Sequence, residues 1–430
     1  MATTRTFTFS TLPPLRDFQF LTDSSGYVLT QTGQLHRFTG ERTTLIATPP
    51  EFTISHFYFR DQTHGAVVGV AQTPEPSLRQ GSIGVAALPL LLLLWLAWQH
   101  RHRPLVRSLF SGLSGLLLGG GLLVSCTGWQ QYRTPDPTSP HASLLSYSAL
   151  GPFSHIYSPN KGQKSFVALT DNQGGSWETQ QLPTNFYPTA LTSMGRNFLV
   201  GTYANAQEGP IALHGDGDLF IYGTDARHTP RLANNSNQRP YGISMSRGIT
   251  GLLVSALDSA LYVFGSDRMP TLPNSVMSGT PGNIYVLPAT LQAPSRLIDT
   301  PDTVDVHSLS QAQTGELWVT MADRKPQLRD RNLVYAPLPT KRLLRFTAGK
   351  WQPVTVPPYT SFEQIAFVPG TSTGYLLAAT GEVLETRTNG TEWHLLAGSR
   401  AIRKLHPWQR GITWLQGENQ LVFYPTPTQK

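Results

Sequence analysis

Residues 18–33 read FQFLTDSSGYVLTQTG, and residues 57–72 read FYFRDQTHGAVVGVAQ. In both, an apolar-x-apolar pair stands six residues ahead of a glycine, Phe20 before Gly26 and Phe59 before Gly65, and an apolar strand follows. This pattern predicts two short strands joined by a turn. The frame recurs in ISMSRGITGLLVSA, where Met245 leads Gly251, in HSLSQAQTGELWVT, where Leu309 leads Gly315, and in IAFVPGTSTGYLLAA, where Phe367 leads Gly374. Weaker copies surround Asn197 and Gly411. The copies amount to about seven units, most of them ~40–60 residues apart, the range of propeller blades. A small twisted sheet cannot bury both of its faces alone, and radial packing lets neighbouring sheets bury one another. The expected fold is therefore all-β, a roughly seven-bladed β-propeller. The stretch RTFTFS at Arg5–Ser10 belongs to no unit and is expected to complete the last blade beside Gln420–Tyr424.

The second half of the unit repeats as well. TGQLHRFTGERTTLI, KRLLRFTAGKWQPV and GEVLETRTNGTEWHLL each read as a strand, a turn rich in Thr and Gly, and a second strand. The clearest copy is ALTDNQGGSWETQQLP, with Thr170, Asn172, Gly174, Ser176 and Trp177 at alternate or adjacent positions. That spacing resembles the Asp-box (BNR) repeat, with Asn172 in place of the usual Asp. Thr386, Thr388, Gly390, Glu392 and Trp393 form a more divergent copy. Together with the stretch from Phe59 to Gly69, the chain resembles the photosystem II stability/assembly-factor type of propeller. GELWVT at Gly315–Thr320 is also similar to the repeats of two-component-regulator propellers. The resemblance implies a propeller whose boxes brace hairpins by side-chain-to-backbone hydrogen bonds, and it implies no catalysis.

Two apolar runs interrupt the repeats, at about 83–98 (IGVAALPLLLLLWLAW) and 109–129 (LFSGLSGLLLGGGLLVSCTGW), joined by the basic turn QHRHRPLVRS. A membrane helix needs ~20 mainly apolar residues. Trp95, Trp98 and Trp129 suit the headgroup region. Ser111, Gly115 and Gly119 form a small-residue face on which two helices can pack closely. An inserted two-helix transmembrane hairpin is expected, against the alternative of a buried soluble hairpin. Arg101, Arg103 and Arg107 make the turn the cytoplasmic side by the positive-inside rule, with the β-regions outside, in a bacterial periplasm. No signal peptide precedes residue 80, so the opposite orientation stays open. A second alternative is a lipoprotein: Leu123-Val124-Ser125-Cys126 resembles a lipobox, and Cys126 would then carry lipid and begin the mature chain. The register of the repeats places the insertion within one blade. The domains are thus 1–80 (closing strand, blade 1 and the start of blade 2), 81–130 (hairpin), 131–145 (linker) and 146–430 (remaining propeller).

Composition narrows the chemistry. Of the 430 residues 14% are charged, while Gly numbers 38 and Pro 34, which suits many short strands and turns. With a single cysteine there is no intramolecular disulfide and no thiolate metal site. The net charge is +7, concentrated partly in Arg324–Lys350 and around Arg400–Arg410. These stretches read as a solvated basic face or as a docking face for anionic lipid or an acidic partner, and no nucleic-acid motif accompanies them. Asp-box propellers include sialidases, yet the Arg motif and carboxylate pair of such an enzyme are missing, as are P-loop, H-E-x-x-H and G-x-S-x-G patterns. His64 reads as a turn cap. Trp177, Trp318, Trp351, Trp393 and Trp414 read as packing between blades. The expectation is a membrane-anchored, non-catalytic scaffold or assembly factor without a cofactor, with the bilayer and an integral membrane protein complex as partners. The alternative is a glycan-binding or glycan-active propeller.

Overall fold

The structure, a computed structural model, describes residues 4–49, 52–71, 164–182, 186–204, 219–223, 231–232, 248–266, 283–289, 291, 296–301, 304–329, 332–408 and 411–425. The chain divides into two compact units, one of residues 1–72, 164–206 and 214–430, the other of 73–163 and 207–213. The first unit is a β-propeller of seven four-stranded antiparallel sheets. The second lies outside the described residues.

Blade 1 comprises β2 (Leu15–Thr22), β3 (Ser25–Thr30), β4 (Leu35–Thr39) and β5 (Arg42–Leu45). Blade 2 comprises β6 (Phe52–Phe59), β7 (Gly65–Ala71), β8 (Ser165–Thr170) and β9 (Glu178–Gln181). In blade 3 the strands are β10 (Phe186–Met194), β11 (Asn197–Ala204), β12 (Leu219–Gly223) and β13 (Arg231–Leu232). Blade 4 runs from β14 (Gly248–Val254) through β15 (Leu261–Ser266) and β16 (Asn283–Leu287) to β17 (Arg296–Asp299). Blade 5 contains β18 (Val304–Gln311), β19 (Leu317–Arg329), β20 (Asn332–Thr347) and β21 (Lys350–Val354). Blade 6 contains β22 (Phe362–Phe367), β23 (Gly374–Ala378), β24 (Val383–Thr386) and β25 (His394–Leu395). Blade 7 is made of β26 (Ile402–Trp408), β27 (Gly411–Gln416), β28 (Gln420–Pro425) and β1 (Arg5–Thr8), with Arg5 opposite Phe423 and Thr8 opposite Gln420.

The aromatic–glycine frame of the sequence is a cross-strand pair. Phe20 faces Gly26, Phe59 faces Gly65, Phe367 faces Gly374, and Trp408 faces Gly411. A methyl group at Gly65 would stand 2.4 Å from the Phe59 ring, and one at Gly374 2.6 Å from the Phe367 ring. The ring therefore lies where a side chain would be, and only glycine admits it. In blade 4 the pair is inverted: Gly251 sits on the first strand and faces Phe264 on the second. The frame read from Met245 is therefore offset, and the second strand of that blade begins at Leu261.

Second strands are apolar along their length rather than alternating. All five residues of β23 are buried, as are the first five of both β7 and β27. A strand covered on both faces reads this way. The buried side chains form seven clusters, and each straddles two neighbouring blades. The seam between blades 7 and 1 is rich in phenylalanine, with Phe20–Phe38 ring centroids 5.0 Å apart and Phe9–Phe38 at 5.5 Å.

First strands touch the first strands of adjacent blades all round the ring, so they are the innermost and surround the axis. Because each blade is an antiparallel meander, the links between second and third strands and the links between blades fall at the end where inner strands begin. Blade 2 is interrupted at that end. Val70 faces Ser165, and the Ala71 amide donates to the Lys164 carbonyl at 2.8 Å, so residues 73–163 stand between two directly paired strands. Blade 5 is extended at the same end: β19 and β20 stay paired out to Arg329 opposite Asn332. Among the described residues there is no helix, and none long and apolar enough to cross a membrane.

Phe7 of the closing strand is buried in the 7–1 seam, 5.7 Å from Phe20. Phe7→Ala is expected to lower stability by about 3 kcal/mol, the usual cost of emptying a buried aromatic site. Urea denaturation followed by tryptophan fluorescence measures this, and an unchanged midpoint would mean that the ring closes without this side chain.

Candidate functional site

All seven inner strands break register at the same place, near their start. The shift falls at Arg16 in β2, Ser55 in β6, Thr189 in β10 and Thr250 in β14. It falls at His307 in β18, Glu363 in β22 and Arg403 in β26. A β-bulge adds one unpaired residue, bends the strand and re-aims the local side chains. Repeated around the axis, it makes a ring of positions released from sheet pairing. Arg16, His307, Glu363 and Arg403 are exposed, while Ser55, Thr189 and Thr250 are half-buried.

At the bulges and beside them, side chains tie most inner strands to the next. Thr189 Oγ1 donates to the Ile249 carbonyl, and Thr250 Oγ1 donates to that of Val306 at 3.4 Å. Ser308 Oγ donates to the Ile365 carbonyl and accepts from the Ile365 amide, both at 3.2 Å. Gln364 bridges both backbone groups of Leu405, and buried Gln19 does the same for Phe59. Glu363 pairs with Lys341 from within its neighbour, blade 5.

The most charged sector spans blades 7, 1 and 2. Lys404 Nζ lies 2.6 Å from Asp17 Oδ1, which also accepts from the Phe18 amide at 2.8 Å. Burial would push the Asp17 carboxyl up, but the Lys404 ammonium and these hydrogen bonds outweigh it and hold it below its usual range. His56, at the position in blade 2 equivalent to Asp17, is pushed down to about 4. Burial is the main cause; Asp17 opposes it, and Arg16 and Lys404 reinforce it. Burial lowers His406 as well. Two neutral imidazoles thus flank one ion pair, with Arg16 and Arg403 outside it.

At the opposite end of the propeller the turns are tight, and two are box-like. The amides of Asn172 and Gly174 donate to Thr170 Oγ1 at 3.3 and 3.0 Å, and the Ser176 amide donates to Asn172 Oδ1 at 2.9 Å. The Asn172 amide group does what a carboxylate does in the usual box, and its Nδ2 adds a bond to Ser176 Oγ at 2.8 Å. In blade 6 the Gly390 amide donates to Thr386 Oγ1 and the Glu392 amide to Thr388 Oγ1, each at 3.0 Å. Both boxes anchor a tryptophan on the preceding blade. Trp177 Nε1 donates to the Ala47 carbonyl at 2.8 Å, and the Trp393 ring meets that of Trp318 edge-on at 6.0 Å. Trp351 repeats the arrangement without a box, donating to the Asp299 carbonyl at 2.7 Å. Trp414 packs on Tyr424 within blade 7.

The cap of the blade 2 turn is Asp61. Its Oδ1 accepts from the amides of Thr63 and His64 at 2.8 Å, and His64 Nδ1 lies 2.9 Å from its Oδ2. Burial opposes ionisation there, but the bonds from His64 and Thr63 win and hold the carboxyl well below its usual range. Ser111, Gly115, Gly119, Arg101, Arg103, Arg107 and Cys126 lie outside the described residues. Sequence reasoning missed the bulge ring entirely. Its signal is one extra residue in each inner strand, visible only once the second strands are aligned.

Fold and site together define a seven-bladed propeller with a polar, charged ring around one end of its axis. No protein-family model matches the chain, and no curated protein sequence matches it. Solved structures do. YCF48 bound to D1 peptide matches with a TM-score of 0.54 and 9% identity, over 99% of this chain and 98% of that one. YCF48 from Cyanidioschyzon merolae gives 0.51 and 9%, over 98% and 99%. An ancestral GH74 enzyme gives 0.50 and 10%, over 94% of this chain and 43% of that one. At these identities the likeness is one of fold.

Two outcomes are expected. Gly390 has φ +89°, and a methyl group there would lie 2.4 Å from the Trp318 ring. Gly390→Ala should therefore cost about 3 kcal/mol in chemical denaturation, from backbone strain and overpacking together. The depressed His56 means the folded state binds fewer protons than the unfolded state between pH 6.5 and about 4. Its contribution to stability is complete above pH 6.5 and is lost as pH falls through that window. Melting temperatures of the wild type and of His56→Gln across pH 4–8 test this, and equal slopes in the two proteins would contradict it.

Proposed function

We propose that this chain is a non-catalytic binding scaffold, an assembly or stability factor for an integral membrane protein complex, held at a bacterial inner membrane by a two-helix hairpin. The observation that carries the reading is the ring of bulged inner strands. It gathers Arg16, His307, Glu363 and Arg403, exposed and chemically diverse, around one end of the axis. Such a ring suits recognition of a polypeptide segment, where several weak polar contacts fix register and selectivity.

The fold of YCF48, seen in complex with a D1 peptide, supports a peptide-binding role. The point of insertion supports the membrane link: residues 73–163, which contain both apolar runs, leave and rejoin blade 2 at the end that carries the ring. In this reading the helices at about 83–98 and 109–129 span the bilayer, and Arg101, Arg103 and Arg107 lie in the cytoplasm. The propeller is extracytoplasmic, and Ser111, Gly115 and Gly119 form the close-packed helix face. No cofactor takes part.

Affinity purification of the full chain in mild detergent, with mass spectrometry of what co-elutes, tests the proposal. An integral membrane complex is expected in stoichiometric amount. Recovery of the bare protein under several detergents would overturn the scaffold reading, and a mature chain that begins at a lipid-modified Cys126 would overturn the hairpin.

A further inference from the structure

We propose that the projecting end of blade 5, residues 324–337, is an amphipathic β-ribbon that lies on the surface of an anionic lipid bilayer. The inference rests on the membrane reading above and adds to it a second contact, made by the propeller itself.

Blade 5 outruns its own sheet. The pairing of β18 ends with Val304 opposite Asp323, and that of β21 with Val354 opposite Leu343. Past those points β19 and β20 continue as a pair, from Arg324 opposite Pro337 to Arg329 opposite Asn332, and among the described residues no third strand joins them. Six residues per strand at ~3.4 Å each make a ribbon about 20 Å long. At its base Asp323 stands against Leu338, Pro339 and Thr340, a wide bulge that sets the ribbon apart from the blade. Residues directly opposite each other share a face, and faces alternate along a strand. One face therefore takes Arg324, Pro326, Leu328, Leu333, Tyr335 and Pro337, apolar beyond its base. The other takes Lys325, Gln327, Arg329, Asn332, Val334 and Ala336, mainly polar and basic. Two strands alone have no second layer with which to cover an apolar face.

Charge and position select the occupant. Residues 324–337 hold four cations, Arg324, Lys325, Arg329 and Arg331, against one carboxylate, Asp330. Lys341 and Arg342, nearer the blade, are already paired with Glu363 and Asp323. An apolar face accompanied by excess cations complements the layer where acyl chains meet anionic headgroups, and Tyr335 suits that depth. Pro326 and Pro337 put a residue without an N–H donor on each edge, which disfavours an added strand and favours an occupant that meets the face. Unpaired backbone groups along both edges keep the ribbon in the headgroup layer and out of the hydrocarbon core. The ribbon leaves the propeller at the same end at which residues 73–163, with both apolar runs, leave blade 2.

The test places the full chain in vesicles of phosphatidylcholine, with or without phosphatidylglycerol. Gln327→Cys, Leu328→Cys, Leu333→Cys and Val334→Cys, each in a Cys126→Ser background, carry an environment-sensitive fluorophore. Lipids with a nitroxide high on the acyl chain quench it on contact. In anionic vesicles the probes at 328 and 333 are expected to be quenched roughly twofold more than those at 327 and 334, because the two faces alternate. Thr391→Cys, in a box turn at the opposite end of the propeller, should not be quenched. Neutral vesicles, or the triple variant Arg324→Gln/Lys325→Gln/Arg329→Gln, should lose roughly half of the effect or more. Thermal melts establish that each variant is folded. Equal quenching of the two faces, equal quenching in neutral and anionic vesicles, or probes at 328 and 333 that are shielded from water yet unquenched, as a second copy or a protein partner would leave them, would overturn the proposal. Alkaline extraction tests the hairpin separately. A chain that resists extraction while the probe at 328 stays unquenched removes the ribbon contact alone. A chain that is extracted, yet binds added anionic vesicles and is quenched at 328, supports the ribbon and overturns the hairpin. A chain both extracted and unquenched overturns the two together.

Discussion

The seam between neighbouring blades is the interaction on which the rest of the structure depends. Each sheet is apolar on both faces, as the uniformly buried second strands show, and a four-stranded sheet has no means of covering both by itself. Seven clusters of buried side chains cover the fourteen faces pairwise, one cluster per seam, and among the described residues no common core joins them. The arrangement is stable only as a closed circle, because one open seam would expose two apolar faces at once. That is why β1, from the far end of the chain, hydrogen-bonds to β28 and drives Phe7 and Phe9 into the last seam.

The same architecture separates stability from recognition along a single strand. In each inner strand the residues after the bulge carry the packing, as Phe18 and Phe20 do in blade 1. The bulged residue itself is released from the pairing of the ladder and is exposed or half-buried. Across the ring it is Arg, Ser, Thr, Thr, His, Glu and Arg. Hydrogen bonds next to the bulges, such as those of Gln19 and Gln364 to neighbouring backbones, and bonds from the bulged Thr189 and Thr250 themselves hold the strands in place. The Asp17–Lys404 pair performs the same bracing across the point of closure, and burial holds its neighbours His56 and His406 neutral, with Asp17 opposing and Lys404 reinforcing it.

Much of the fold was legible because close packing leaves a local mark. An aromatic ring laid over a bare backbone requires glycine opposite it, and that requirement produced the Phe59–Gly65 and Phe367–Gly374 repeat, while at Gly26 the Gln19 carbonyl leaves no room for a side chain. The turn chemistry of Thr170–Trp177 was legible for the same reason, since its bonds join residues two and four positions apart. Blade 4 misled the pattern because its glycine and phenylalanine exchange strands, which preserves the contact but shifts the frame. The candidate site left no such mark. Arg16, His56 and Arg403 are far apart in sequence, and nothing near any of them signals the other two.

By itself the sequence determined the class of fold, the number of repeating units and the interruption of one of them, because those follow from short-range periodicity, from glycine, and from the length of the apolar runs. Only the tertiary structure decided which side chains share the axis. Ring closure sets Arg403 beside Arg16, and a one-residue bulge decides whether an inner-strand residue faces a seam or the solvent. Both are consequences of how seven sheets meet, a long-range geometry that no local pattern encodes.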